Sequence, residues 1–174
     1  MGHPSEDVPA SGSAEIRTFL IADVRGYTRF TQEFGDEAAA RLAAHFAGIA
    51  REVVERHGGS VVELRGDEAL AVFTSARRAI LAAVSAQDRF LAETIADPSL
   101  ALPVGIGLDA GEAVPLEGGY RGGALNLAAR LCARAAPGEI LASQGVVHLS
   151  RRVDGVRAVD AGTMEMKGSP SRSG

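Results

Sequence analysis

Cysteine is nearly absent. Cys132 stands alone in 174 residues, which excludes an internal disulfide and any zinc-type cluster of cysteines and histidines. The four histidines, His3, His45, His57 and His148, are scattered singly and read as surface or capping residues. No apolar run approaches the roughly 20 residues that a membrane-spanning helix needs, and the N-terminus lacks the basic start and apolar stretch of a secretory signal. A cytoplasmic protein without membrane contact is therefore expected. Basic charge is not in excess either. The net charge of -4 and pI near 5.6 argue against general nucleic-acid binding. A phosphate-bearing ligand would need cations beside it to offset the repulsion.

What is present is ordinary for a folded domain: 46% hydrophobic and 23% charged residues. The length suits one domain, since domains commonly hold about 100–200 residues. Residues 1–14 are rich in Gly, Ser and Pro without periodicity and are expected to form a flexible leader. Residues 15–168 form the expected domain, and 169–174 a flexible tail.

The segment Ile16 to Asp23 is apolar at consecutive positions and predicts a strand buried on both faces. Tyr27 to Phe34 predicts a short helix interrupted at Gly35. From Asp36 to Arg56, Leu42, Phe46, Ile49, Ala50 and Val53 share one helical face, and Gly58-Gly59 ends it. Thr74 or Ser75 can cap a further helix, in which Ile80, Val84, Leu91 and Ile95 share a face, and Asp97-Pro98 stops it. Next, Val104, Ile106 and Leu108 alternate with Gly105, Gly107 and Asp109, so one strand face lets a backbone or ligand approach closely. Val114 to Gly123 predicts an arm or loop, and Gly122 to Ala136 a helix with Leu127 and Leu131 inward. On another face of that helix Asn126, Arg130 and Arg134 recur every four residues. The order strand, helix, hairpin, helix, strand, helix, strand predicts an α+β fold of ferredoxin-like plan, a mostly antiparallel central sheet with helices packed on one face.

The chain is organised around Val61 to Phe73. Two runs of β-formers flank Arg65-Gly66-Asp67, and a glycine there supplies the positive φ of a tight reversal. The hairpin carries three carboxylates, Glu63, Asp67 and Glu68. By itself such a tip is also what a solvated turn contains. A second feature changes its meaning: Phe19-Leu20-Ile21-Ala22 ends on Asp23 and is followed by Val24-Arg25-Gly26-Tyr27-Thr28. A buried strand ending on a carboxylate, then a glycine turn into a helix, sets free N–H groups beside a hard oxygen ligand, which suits metal-bound phosphate.

The pair FLIADVRGYTRF and VVELRGDEALAVF, followed in order by GYRGGALNLAARL, resembles the catalytic domain of the class III nucleotidyl (adenylate and guanylate) cyclases. The resemblance runs from about residue 16 to 168 and implies the same α+β architecture. It further implies cyclisation of a nucleoside triphosphate to a 3′,5′-cyclic nucleotide and pyrophosphate. Two divalent ions, Mg2+ or Mn2+, would be held by Asp23, Asp67 and the Val24 carbonyl. Gly26, Tyr27 and Thr28 would offer N–H groups to the phosphates, Lys167 would hold the terminal ones, Asn126 would orient the ribose, and Arg130 would meet charge on the α-phosphoryl group. The family builds each site from two protomers, so a homodimer with shared active sites is implied.

This sequence departs from the adenylate cyclase pattern where the base is read. Glu63 stands in place of a Lys and Gly119 in place of an Asp, with Tyr120 beside it. An ionised Glu63 only accepts hydrogen bonds and suits the two donors of guanine, so GTP is the expected substrate, with ATP as the alternative. Tyr120 reads equally as a donor to guanine O6 and as an aromatic packed against the arm. Two competing readings are a cyclase-like module reduced to nucleotide binding or dimerisation, and another two-metal nucleotidyl transferase with a palm-like fold. The first should lack a metal aspartate or the Asn126/Arg130 pair. The second does not explain the helix that carries them.

Overall fold

The computed structural model describes residues 13–164. In chain order the elements are β1 (Glu15–Val24), α1 (Tyr27–Phe34), α2 (Asp36–Arg56), β2 (Ser60–Arg65), β3 (Glu68–Phe73), α3 (Ala76–Ala96), a 3-10 turn (Pro98–Leu100), β4 (Val104–Leu116), β5 (Gly119–Arg121), α4 (Gly123–Arg134), β6 (Ile140–Ala142) and α5 (Gln144–Ser150). The sheet runs β2-β3-β1-β4-β5, with β6 also on β4. Every pairing is antiparallel except that of β6 with β4. The α+β cyclase-type plan expected from the sequence is present, and Lys167 lies outside the described residues.

β1 is central because its side chains are apolar on both faces. Leu20, Ala22 and Val24 join Leu42, Phe46, Ile49, Val53 and Phe90 in the larger core under α2 and α3. Phe19 and Ile21 point the other way, against Ala124, Ala128 and Cys132 of α4. The helices therefore cover both faces of the sheet, which corrects the expectation of one covered face. The alternation in β1 demanded it, since Phe19 and Ile21 would otherwise lie in water.

α3 buries mainly alanine together with Phe90, and two residues of its expected inner face stay outside. Ala76, Ala79, Ala82, Ala83, Ala86 and Phe90 face the core, whereas Leu91 and Ile95 are 61% and 72% exposed. A stripe of alanines lets the helix axis come close to its neighbours, and Phe90 stacks on Phe46 with ring centroids 5.5 Å apart. Ser75 caps α3, its side chain accepting from the N–H of Arg78. The predicted arm is a hairpin made by the far end of β4 and β5, turning at Gly118 with φ +78°. No helix among the described residues is long and apolar enough to cross a membrane.

Candidate active site

Two adjacent antiparallel strands deliver the carboxylates. Asp23 is the penultimate residue of β1 and pairs in register with Glu68, the first residue of β3. The β2–β3 loop contains only Gly66 and Asp67, and Gly66 takes φ +54° as a two-residue reversal requires. The N–H of Val24 donates to the carbonyl of Asp67 at 2.9 Å, which ties the hairpin tip to the end of β1.

The Asp23 and Asp67 side chains are close enough to share a hydrogen bond. Burial pushes the Asp23 carboxyl up to about 6, the negative charge of Asp67 pushes it the same way, and the Arg25 guanidinium opposes them. Two carboxyl groups this close repel each other when ionised, and a cation between them would relieve that repulsion. The donor set of Asp23, Asp67 and the Val24 carbonyl is all hard oxygen, which fits Mg2+ or Mn2+. Among the described residues no group of three or more His, Cys, Asp or Glu side chains is gathered for a metal, so any ion here would complete its shell from backbone, substrate or water.

Gly26, at φ +74°, turns the chain from β1 into α1. Its carbonyl accepts from the N–H of Phe30, so the N–H groups at the start of α1, Tyr27 and Thr28 among them, have no partner within the helix. Tyr27 anchors this turn, its hydroxyl donating to the carbonyl of Ala39 at 3.2 Å. α4 packs on the opposite side of β4 and β1. Gly107 makes this possible, because a Cβ there would fall 2.2 Å from the Cys132 nitrogen and 2.3 Å from the Ala128 oxygen. With that face against the sheet, Asn126 and Arg130 are exposed on the outer side of α4. Cys132, buried beneath the helix, has its thiol pushed up to about 12 by burial and is no nucleophile at neutral pH.

The base-reading candidates lie apart from the aspartates. Glu63 is exposed on the edge strand β2 and pairs with Arg65. Gly119 and Tyr120 lie on β5. Tyr120 meets Phe19 of β1 edge-on at 5.6 Å, so its ring packs the arm onto the central strand. The chain thus brings Asp23, Val24 and Asp67 together beside Gly26, Tyr27 and Thr28, while Glu63 sits on the opposite edge strand from Gly119.

One participant was not legible from the motifs. Arg25 Nη1 donates to Asp23 Oδ2 at 3.1 Å, and Nη2 donates to the carbonyl of Cys132. The available signal was Gly105, which lies opposite Asp23 in the β1–β4 register and leaves room for the guanidinium.

No family profile matches the chain. An uncharacterized protein of Mycobacterium tuberculosis is 37% identical over 139 residues, 79% of this chain and 35% of the relative. A protein named as a candidate adenylate cyclase in Rhizobium meliloti is 28% identical over 155 residues, 87% of this chain and 26% of the relative. The chain therefore spans about a third or less of the length of these relatives. Among solved structures, the guanylyl cyclase Cya2 superposes with a TM-score of 0.79 at 26% identity, covering 91% of this chain and 89% of the other. An adenylate/guanylate cyclase/hydrolase from Silicibacter pomeroyi gives 0.80 at 27% identity, covering 91% and 92%.

Proposed function

Starting from a chain that has the catalytic fold of the adenylate and guanylate cyclases, we propose that it converts a nucleoside triphosphate to a 3′,5′-cyclic nucleotide and pyrophosphate, with GTP favoured over ATP. The observation that carries this reading is the Asp23–Asp67 carboxyl pair at the end of β1, directly before the first turn of α1. The ribose 3′-oxygen attacks the α-phosphorus, the bond to the bridging oxygen of the β-phosphate breaks, and pyrophosphate leaves with that electron pair. Asp23, Asp67 and the Val24 carbonyl would hold two divalent ions. Bound there, they would supply charge screening for the phosphates and a lowered pKa for the attacking hydroxyl.

The remaining work belongs to this chain's own groups. The N–H groups of Gly26, Tyr27 and Thr28 take phosphate oxygens at the N-terminus of α1. Arg130, which cannot lose its proton, meets charge growing on the α-phosphoryl group, and Asn126, one turn earlier on α4, orients the ribose. Lys167 completes the hold on the terminal phosphates. Asn126 and Arg130 project away from the sheet that carries the aspartates, which supports a homodimer in which each site draws Asp23 and Asp67 from one protomer and Asn126, Arg130, Glu63 and Lys167 from its partner. Nucleoside triphosphates as substrates put the reaction in the cytoplasm.

Base choice rests on Glu63. A carboxylate has about four acceptor positions, so pairing with Arg65 leaves room for the N1 and N2 donors of guanine. Glu63 is exposed in the single chain, and its discrimination depends on being covered by nucleotide and the second protomer. The test is a product assay offering GTP and ATP separately with Mg2+ or Mn2+, on wild type and on Asp23→Ala and Asp67→Ala. Cyclic GMP in excess of cyclic AMP, abolished by either substitution, is expected. Wild-type rates in either variant under metal titration would refute the two-metal site.

A further inference from the structure

Arg25 is anchored at three points around this corner. Its main-chain N–H donates to the Pro103 carbonyl at 2.7 Å, which fixes the start of the side chain against the segment leading into β4. One arm of the guanidinium holds Asp23 Oδ2 at 3.1 Å. The other holds the carbonyl of Cys132 in the last turn of α4, where a cation also complements the helix dipole. Between these anchors the group lies across Gly105, and a Cβ at that position would collide with Nη2 and Nε and with the carbonyl oxygen of Ala135. Nε is itself buried without a hydrogen-bond partner among the described residues. An arginine retained only for its charge would turn that donor to water. Here the two anchors dictate the orientation, and Nε goes unmet as a result.

We propose that Arg25 is a positioning residue, a clamp that fixes the Asp23 carboxylate against the carbonyl end of α4 and so sets the spacing between the metal aspartates of one site and the helix that carries Asn126 and Arg130 into the other. The role of Asp23 in this statement rests on the cyclase reading, whereas the clamp itself is a property of the fold. Holding one carboxylate oxygen restricts the rotation of Asp23. The planar fork of arginine spans both anchors at once, which a single ammonium cannot do.

The experiment compares the full chain with Arg25→Ala and Arg25→Lys. Hydrogen exchange by mass spectrometry should be faster than in wild type across residues 128–136 in both, without loss of global folding. With Mn2+ alone as the probe, read by electron paramagnetic resonance, Arg25→Ala should bind about 10-fold or more weakly, the usual scale for removing a group that orients a metal ligand. The sign is diagnostic, because deleting a mere neighbouring cation would tighten binding. In the cyclase assay kcat should fall with little change in KM. Unchanged exchange in 128–136, tighter Mn2+ binding, or full restoration by Lys would overturn the clamp. A wild-type protein that makes no cyclic nucleotide while the exchange difference persists would instead strike the functional reading and leave the clamp standing.

Discussion

Gly107→Ala probes the seat of α4 with one methyl group. The added Cβ would meet backbone atoms of the helix at 2.2 and 2.3 Å, about 1.2 and 1.1 Å inside the 3.4 Å at which ordinary contact begins. Neither neighbour is a flexible side-chain end, so β4 and α4 must separate by about an ångström. β4 is held by β1 along ten register pairs, which makes the helix the element that yields. Overpacking of this kind costs about 1–3 kcal/mol, and for a domain of this size each 1 kcal/mol lowers Tm by about 2–4 °C. A melting point lower by about 2–12 °C is expected. Activity should suffer more than stability, because moving Asn126 and Arg130 by about 1 Å can reduce turnover by about 100-fold. Calorimetry and a cyclase assay below the lowered Tm separate the two effects. Gly111→Ala is the control, since its Cβ would meet only the Ala124 methyl, at 3.3 Å, and both properties should stay near wild type. A Gly107→Ala protein with unchanged Tm and kcat would refute the argument that this glycine sets the helix position.

Glu63→Lys with Gly119→Asp should move base preference toward ATP by about one to two powers of ten, the equivalent of one buried polar group unpaired, measured as the ratio of kcat/KM for the two nucleotides; an unchanged ratio removes Glu63 from base reading. Asp23→Ala and Arg130→Ala proteins, each inactive, should regain activity when mixed, because one of the mixed sites is intact; no recovery despite demonstrated subunit exchange would put the whole site within one chain. Asp109 gives a pH test. Burial raises its carboxyl above the usual 3.8 although Ser143 Oγ donates to it at 2.6 Å. As pH climbs from 3.8 to the folded value, the folded chain keeps a proton that the unfolded chain has released, so this residue makes stability fall with rising pH. Asp109→Asn should therefore shallow that fall in urea midpoints taken from pH 4 to 7, and an equal slope in both proteins would count against it.

The elements that sequence reading located well are those whose periodicity is enforced by a core. β1, α1, α2 and the hairpin end within a residue or two of the expected positions, because Asp23, Gly35, Gly58 and Gly66 punctuate them chemically. α3 was found with its register inverted in importance: Leu and Ile suggest an inner face, yet the alanine side is the one that lets two helices and a sheet meet closely. α5 was missed, since seven residues containing Gly145 give little pattern beyond the Ser143 cap. At the site, Asp23 was legible because it ends an apolar run, and Asp67 because it follows a glycine turn between two runs of β-formers. Arg25 was not, because the space it occupies is created by Gly105, eighty residues later, and a sequence shows neighbours along the chain and not vacancies across it.

The central place of β1 also fixes when this protein can become safe to synthesise. Six of its ten residues pair with β3 on one side and all ten with β4 on the other, so a nascent chain that has reached only the end of α3 presents one whole edge of Glu15–Val24, including Phe19-Leu20-Ile21-Ala22, with no strand to cover it. Such an unpaired apolar edge is a template for intermolecular pairing. At about 5–20 residues per second, the ribosome closes that window within seconds of completing α3, once Val104 to Ala113 has emerged. Fragments that stop before β4 should aggregate even though every aspartate of the site is already in them. Insertions into this domain are better placed at the Glu117-Gly118 tip of the arm, which turns in the open and leaves both edges of β1 paired.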